Sequence, residues 1–214
     1  MEHALDLSLA TLGARVAPLT LAADRTLPVA DEFAHLLGGF VRGRTIACRG
    51  AAATSTALAL VAPAVRAGAW LAVVDVPTLG LDAAGELGVP LERIVAVRTG
   101  HPTPDAARWP DIVAAAADGF DVLLVDVPPA VPVGAVRKLA VRLRQRDVVT
   151  VILGDPGPMP CDGTVETAAV TWSGLGAGHG HLRHRRVTVQ ASGRRLPGRR
   201  RSELVLPGSL PAAG

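Results

Sequence analysis

Residues 44–57 read Arg44-Thr45-Ile46-Ala47-Cys48-Arg49-Gly50-Ala51-Ala52-Ala53-Thr54-Ser55-Thr56-Ala57. The run Arg44–Cys48 has β character, Gly50 breaks it, and small residues lead into an apolar helix near Thr56–Arg66. Strand, glycine, short loop, helix is the frame of a phosphate-binding loop, G-x-x-x-x-G-K-[ST]. In that loop backbone N–H groups cradle phosphates and a lysine neutralises charge. Here Gly50 keeps the first glycine. Ser55 stands where the second glycine would allow a positive φ, a conformation that costs other residues ~1–2 kcal/mol. Thr56 replaces the lysine, and Ala57 replaces the hydroxyl that would ligate Mg²⁺. Charge neutralisation, metal ligation and loop geometry are lost together. Gly50, Thr54, Ser55 and Thr56 form a vestigial loop, and Ala51–Ala53 can continue the helix one turn earlier, with Thr54 or Ser55 facing its first turn.

Outward from this stretch, strands and helices alternate. A short helix covers Val29–Leu37 and stops at Gly38-Gly39. Ala69–Val76 is an apolar strand with Asp75 near its end, followed by a helix at Asp82–Leu87 and a strand at Arg93–Val97. Pro110 and Gly119 frame a helix at Asp111–Asp118. Strand Asp121–Val127, helix Gly134–Arg146 and strand Val148–Leu153 complete the series. Apolar strands alternating with helices predict a parallel sheet covered on both faces. After Gly154, Val165–Trp172, Leu182–Ala191 and Ser202–Leu206 read as strands joined by Gly-rich turns, an antiparallel extension at one sheet edge. The chain divides into an N-terminal amphipathic helix and linker (1–26), a core domain (27–207) and a flexible tail (208–214). No internal repeat is present.

Composition bounds the function. The 214 residues are 49% hydrophobic with mean hydropathy +0.34, which excludes disorder for the bulk of the chain. No apolar run approaches the ~18 residues of a membrane span, since Arg66 ends the longest, Ala57–Val65. MEHALDLSLA lacks the basic stretch that precedes a signal peptide's apolar core. Two cysteines, Cys48 and Cys161, make no disulfide scaffold in a chain of this length. A soluble, cytoplasmic protein with no membrane partner is expected. The formal charge is +3 and all but one of the 22 basic residues are arginine, Lys138 being the exception. Residues 1–150 carry net −1 and residues 151–214 net +4, a basic end that attracts acidic partners or nucleic acid.

Phe120-Asp121-Val122-Leu123-Leu124-Val125-Asp126 has the apolar strand and terminal carboxylate of a Walker B element. Such a carboxylate acts on Mg²⁺ held by nucleotide phosphates. Without the loop, Asp126 reads first as a strand-end or turn residue. Leu36–Ile46 (LLGGFVRGRTI), Leu71–Asp75, and Leu81-Asp82 with Glu86-Leu87-Gly88-Val89 complete a pattern that resembles the RecA-fold proteins over nearly the whole chain. The resemblance implies an α/β fold with a RecA-like, mostly parallel sheet flanked by helices. In RecA ATPases a glutamate follows the second strand as general base. Here Asp75-Val76-Pro77-Thr78 stands there, with no glutamate nearby.

Trp172-Ser173-Gly174-Leu175-Gly176-Ala177-Gly178-His179-Gly180-His181-Leu182-Arg183-His184-Arg185-Arg186-Val187 is similar to the W-x-G-L-G-x-G-H-x-x-L-R-x-R-R-V run of the ImuA-prime family. These are shortened RecA-like accessory proteins of bacterial mutasomes. The resemblance implies a role in SOS-induced translesion synthesis, nucleoid-associated on DNA damage. Its implied partners are an ImuB-like inactive Y-family polymerase relative, with a RecA filament and an error-prone C-family polymerase as further ones.

Other candidate sites were weighed against plainer readings. His179, His181 and His184 lack a nearby Cys or Asp, and 184 is out of phase with 179 and 181 in a strand, so a zinc site is not expected. Cys161 has no base beside it in sequence and is not read as a nucleophile. Helix Gly134–Arg146 buries Val136, Leu139, Ala140 and Leu143, leaving Arg137, Lys138, Arg142, Arg144 and Arg146 as a solvated face. Arg194, Arg195, Arg199, Arg200 and Arg201 surround Leu196-Pro197-Gly198 on a hairpin tip, and Arg183, Arg185 and Arg186 precede them. All eight are candidates for partner or DNA contact, although no aromatics interleave the tip arginines to support base stacking. Leu5, Leu9, Leu12 and Val16 lie on one helix face that suits packing on the protein's own helices or docking on a partner. Trp70, Trp109 and Trp172 are expected mostly in the core.

The resulting expectation is a non-catalytic scaffold with no cofactor, no metal and no catalytic residue. Its rivals are a divergent DNA-dependent ATPase, in which first-turn amides still bind phosphate, and a SulA-like SOS cell-division inhibitor. Filamentation on overproduction separates the last from the mutasome reading.

Overall fold

The computed structural model describes residues 25–175 and 180–206. Strand β1 (Thr26–Leu27) pairs antiparallel with β2 (Phe40–Val41) around helix α1 (Asp31–Leu37). Acidic Asp31 and Glu32 in its first turn suit the helix dipole, and Gly38 ends it at φ 68°, the left-handed position glycine takes without strain. The main elements follow: β3 (Thr45–Arg49), α2 (Ala53–Arg66), β4 (Leu71–Val74), α3 (Leu81–Glu86), β5 (Ile94–Val97), α4 (Trp109–Ala116), β6 (Val122–Asp126), α5 (Val133–Gln145) and β7 (Val149–Leu153). Three long strands close the described chain: β8 (Gly163–Leu175), β9 (Gly180–Ser192) and β10 (Arg200–Leu206).

Eight strands form one sheet in the order β10-β9-β8-β3-β7-β6-β4-β5. From β8 through β5 all neighbours are parallel, while β8–β9 and β9–β10 are antiparallel. The C-terminal extension therefore starts on a parallel strand, and only its last two members run against their neighbours. Ile46 pairs with Gly163 through Arg49 with Glu166, so β8 rides on β3 for four residues and then runs past its end.

Alternation along the strands builds two cores. Leu71, Val73, Val122 and Leu124 pack with α1, α2 and α3, around Phe33, Leu58 and Val61. Ala72, Val74, Leu123 and Val125 pack with α4 and α5, around Trp109, Val136 and Leu143. The buried stripe of α5 is Val136, Leu139, Ala140 and Leu143, as its periodicity predicts. On its outer side Arg142 and Arg146 both reach Asp118, at 2.5 and 2.9 Å. The hydrogen bond from Arg142 is the main cause holding the Asp118 carboxyl below its ordinary range.

The tryptophans divide differently from the expectation. Trp109 is fully buried, but Trp70 and Trp172 are 42% and 52% exposed. Each exposed indole lies under a guanidinium instead, Arg93 for Trp70 and Arg185 for Trp172. Trp70 immediately precedes β4, and Trp172 lies in the part of β8 that runs past the end of β3. Among the described residues no helix is long and apolar enough to cross a membrane.

Candidate functional site

The C-terminal ends of the parallel strands, where an α/β sheet builds its sites, bring together the turn after β3 and the ends of β6 and β4. Gly50 leaves β3 at φ +93°, and a Cβ there would meet the Thr167 carbonyl oxygen at 2.8 Å and Thr167 Cβ at 2.9 Å. Only glycine fits, because β8 lies against the turn. Helix α2 starts at Ala53, one turn earlier than Thr56, with Ala52 as an N-cap that offers no side-chain bond and no acidic residue in the first turn. Thr54 and Ser55 are part-exposed in that turn. Thr56 is 1% exposed, and its Oγ1 has no hydrogen-bond partner among the described residues.

Arg185 closes the turn from the other side. Alternation along β9 puts it on the face of Val187, Val189 and Ala191, all fully buried against the α2 layer. Two residues beyond that core the same face meets the start of α2. There the Arg185 guanidinium donates to the Ser55 Oγ. Its Cζ also lies 5.3 Å from the Trp172 ring centroid. Trp172 is the cross-strand neighbour of Arg185, brought into that register by a bulge between Thr167 and Ala169. Partial burial lowers the Arg185 pKa from its ordinary value.

At the neighbouring strand ends, Asp75 follows β4 with φ 54° and is 4% exposed. It accepts from the Thr99 backbone N–H (2.9 Å) and Thr99 Oγ1 (2.6 Å), and Thr99 Oγ1 accepts from the Asp105 N–H (2.9 Å). Asp75 thus fastens the loop after β5, with both carboxylate oxygens engaged. Asp126 ends β6 as an exposed residue, and partial burial of its carboxyl raises its pKa, with the Val127 N–H opposing and the Asp75 charge adding.

This donor set does not fit a magnesium nucleotide. The chain's one lysine, Lys138, is exposed on α5. Ala57 offers no hydroxyl, Asp75 is held by Thr99, and the Arg185 guanidinium is tied to Ser55. Among the described residues no three His, Cys, Asp or Glu side chains cluster as a metal site. Burial raises Cys48 to about 12 and Cys161 to about 11, which keeps both as thiols.

The basic candidates do not form one patch. Register places Arg185 beside Leu206 and Arg200 beside Ala191, so Arg185 and the tip arginines lie at opposite ends of the β9–β10 pair. The tip itself is fastened down: Leu196 is buried, and Pro197 lies 3.2 Å from where a Gly38 Cβ would be. Arg195 pairs with Asp162 at 3.4 Å, and Arg200 donates to the His35 carbonyl in the last turn of α1 at 2.6 Å. Arg186 pairs with Glu203 at 3.1 Å. Arg194, Arg199 and Arg201 are exposed and make no ion pair among the described residues. Arg183 lies in β9, but its side chain is outside the described residues, as are Leu5, Leu9, Leu12, His179 and the tail 208–214. Asp162 was not singled out by sequence. It accepts from the Thr45 N–H at 2.9 Å and returns its own N–H to the Thr45 carbonyl at 2.8 Å, joining β3 to the start of β8. Its signal was the Asp162-Gly163 turn.

A parallel sheet that carries a glycine turn and helix after β3, acidic residues at the ends of two neighbouring strands and an antiparallel edge defines the class: this is a RecA-like fold. The crystal structure of the RadB recombinase aligns with 81% of this chain and 92% of its own, with a TM-score of 0.56 at 11% identity. Residues 34–160 match the family described as the MT3502 N-terminal domain, and the chain belongs to that family. No curated protein matches the sequence.

Proposed function

We propose that this chain is a non-catalytic, RecA-like accessory protein of the ImuA-prime type, which works in a damage-induced translesion-synthesis mutasome by protein–protein interaction. The observation that carries the non-catalytic half is Arg185 at Ser55, a side chain of the protein where a nucleotide phosphate would need free donors. The mutasome half rests on the Trp172–Val187 run, in which Arg185 stacks on Trp172 and reaches Ser55. The protein would hold an ImuB-like factor near a stalled primer, with a RecA filament and the C-family polymerase as further partners. Its place is the cytoplasm, at the nucleoid after damage.

Calorimetric titration with Mg-ATP up to millimolar concentration tests the first half, and the expected result is no heat of binding. Binding tighter than ~1 mM, equivalent to about 4 kcal/mol, that weakens in Thr56 or Asp126 variants would overturn it. Co-purification with an ImuB-like protein after DNA damage tests the second half. Cells that filament on overproduction, with no such partner recovered, would move the chain to the cell-division inhibitors.

A further inference from the structure

Between Thr167 and Arg186 the sequence has no acidic residue, while it holds three arginines. This part runs past the end of β3 as two strands with exposed Thr171, Ser173, His184 and Arg186. Trp172 is the largest side chain on it and is 52% exposed. An indole left open on a projecting ribbon, at the end of a core face, is not there to fill the core. Arg185 lies over its ring, and the guanidinium is itself held by Ser55, so the platform is backed by a fixed cation.

We propose that Trp172, backed by Arg185, is a contact for single-stranded nucleic acid. An unpaired base stacks on the indole, above the Arg185 cation and within a stretch of chain that carries no carboxylate. The cation beneath the ring and the lack of carboxylates along this stretch favour a polyanion. The open π surface selects unpaired bases over a duplex, whose bases are stacked inside, and over an acidic peptide, whose carboxylates gain nothing from an indole. Trp70 under Arg93 is the contrasting case. Asp121 holds its N–H at 3.0 Å and Arg93 is bound to the Gly68 carbonyl, so an acidic group sits at that indole's base. The inference adds a partner class to the scaffold reading and does not depend on which polymerase the chain serves.

The test is fluorescence anisotropy of the full chain with end-labelled oligothymidylate and with a duplex of equal length, at low and physiological salt. The single strand binds more tightly than the duplex, and salt weakens binding. Trp172→Ala lowers affinity roughly 5- to 150-fold, the range of stacking platforms. Trp172→Phe, which keeps a π face, retains most of the affinity, and Trp70→Ala changes nothing. No single-strand binding at low salt, or equal binding by parent and Trp172→Ala, overturns the proposal. So does a loss of self-association in Trp172→Ala with oligonucleotide binding intact, which would make the indole a contact between copies.

Discussion

Arg185 donates a hydrogen bond to Ser55, 130 residues away in sequence, and so ties the antiparallel edge of the sheet to the first turn of α2. The cation meets the positive end of a helix dipole, and the first turn holds nothing acidic to offset it. Among the described residues the Ser55 hydroxyl and the Trp172 ring face reconcile the two.

That arrangement predicts opposite signs for two substitutions at one position. Ser55→Ala removes the acceptor and costs about 0.5–1.5 kcal/mol, the net worth of a hydrogen bond. Ser55→Asp places a carboxylate between the guanidinium and the helix amides and gains a similar amount, about 0.3–1 kcal/mol of it from the dipole. Urea denaturation reads both. If Ser55→Asp is the less stable variant, the guanidinium is not where the structure puts it.

Gly50 is the position where any side chain fails. Its positive φ costs a non-glycine residue ~1–2 kcal/mol. A Cβ 2.8 Å from the Thr167 carbonyl oxygen adds overpacking of about 1–3 kcal/mol. Gly50→Ala should therefore lose roughly 2–5 kcal/mol in chemical denaturation. A variant as stable as the parent would mean that β8 does not bear on the turn.

Asp126 gives a pH signature. Its folded pKa is raised, by burial first and by the Asp75 charge second, above the ordinary 3.8. The neutral acid is thus the form the fold prefers. The contribution is complete below the unfolded pKa and is lost as pH rises through the folded one. Asp126→Asn stays neutral throughout, so its melting temperature should exceed the parent's at neutral pH and converge on it in acid. A variant destabilised at neutral pH would instead point to a cation that the carboxylate holds.

The fold was legible because both periodicities were clean. The apolar strands at Leu71–Val74 and Val122–Asp126, and the α5 stripe, need only local pattern to be read. The vestigial loop was legible too, since what it lacks is a matter of residue type at Thr56 and Ala57. What closes the loop was not legible. Arg185 reaches Ser55 only because a bulge sets the β8–β9 register and β8 overruns β3, and neither leaves a local mark in the sequence. The exposure of Trp172 is hidden from the sequence for a related reason. A large aromatic goes to the core unless the sheet continues past its covering helix, and that overrun is a property of the strand pairing.

The tip arginines look alike in sequence and should not act alike. Arg200 donates to the His35 carbonyl at the C-terminal turn of α1, where a cation also suits the dipole. Arg200→Ala should lose about 0.5–2 kcal/mol of stability, from the hydrogen bond and the dipole together. Arg194→Ala, Arg199→Ala and Arg201→Ala remove exposed, unpaired charges and should stay within about 0.5 kcal/mol of the parent. If those three serve a partner, their loss weakens its capture while leaving the melt unchanged, whereas Arg200→Ala shifts the melt first. Thermal denaturation beside co-purification of the same four variants separates the two roles. Four equal melting curves would mean that the tip is not fastened to α1 and that all of its charge is free to dock.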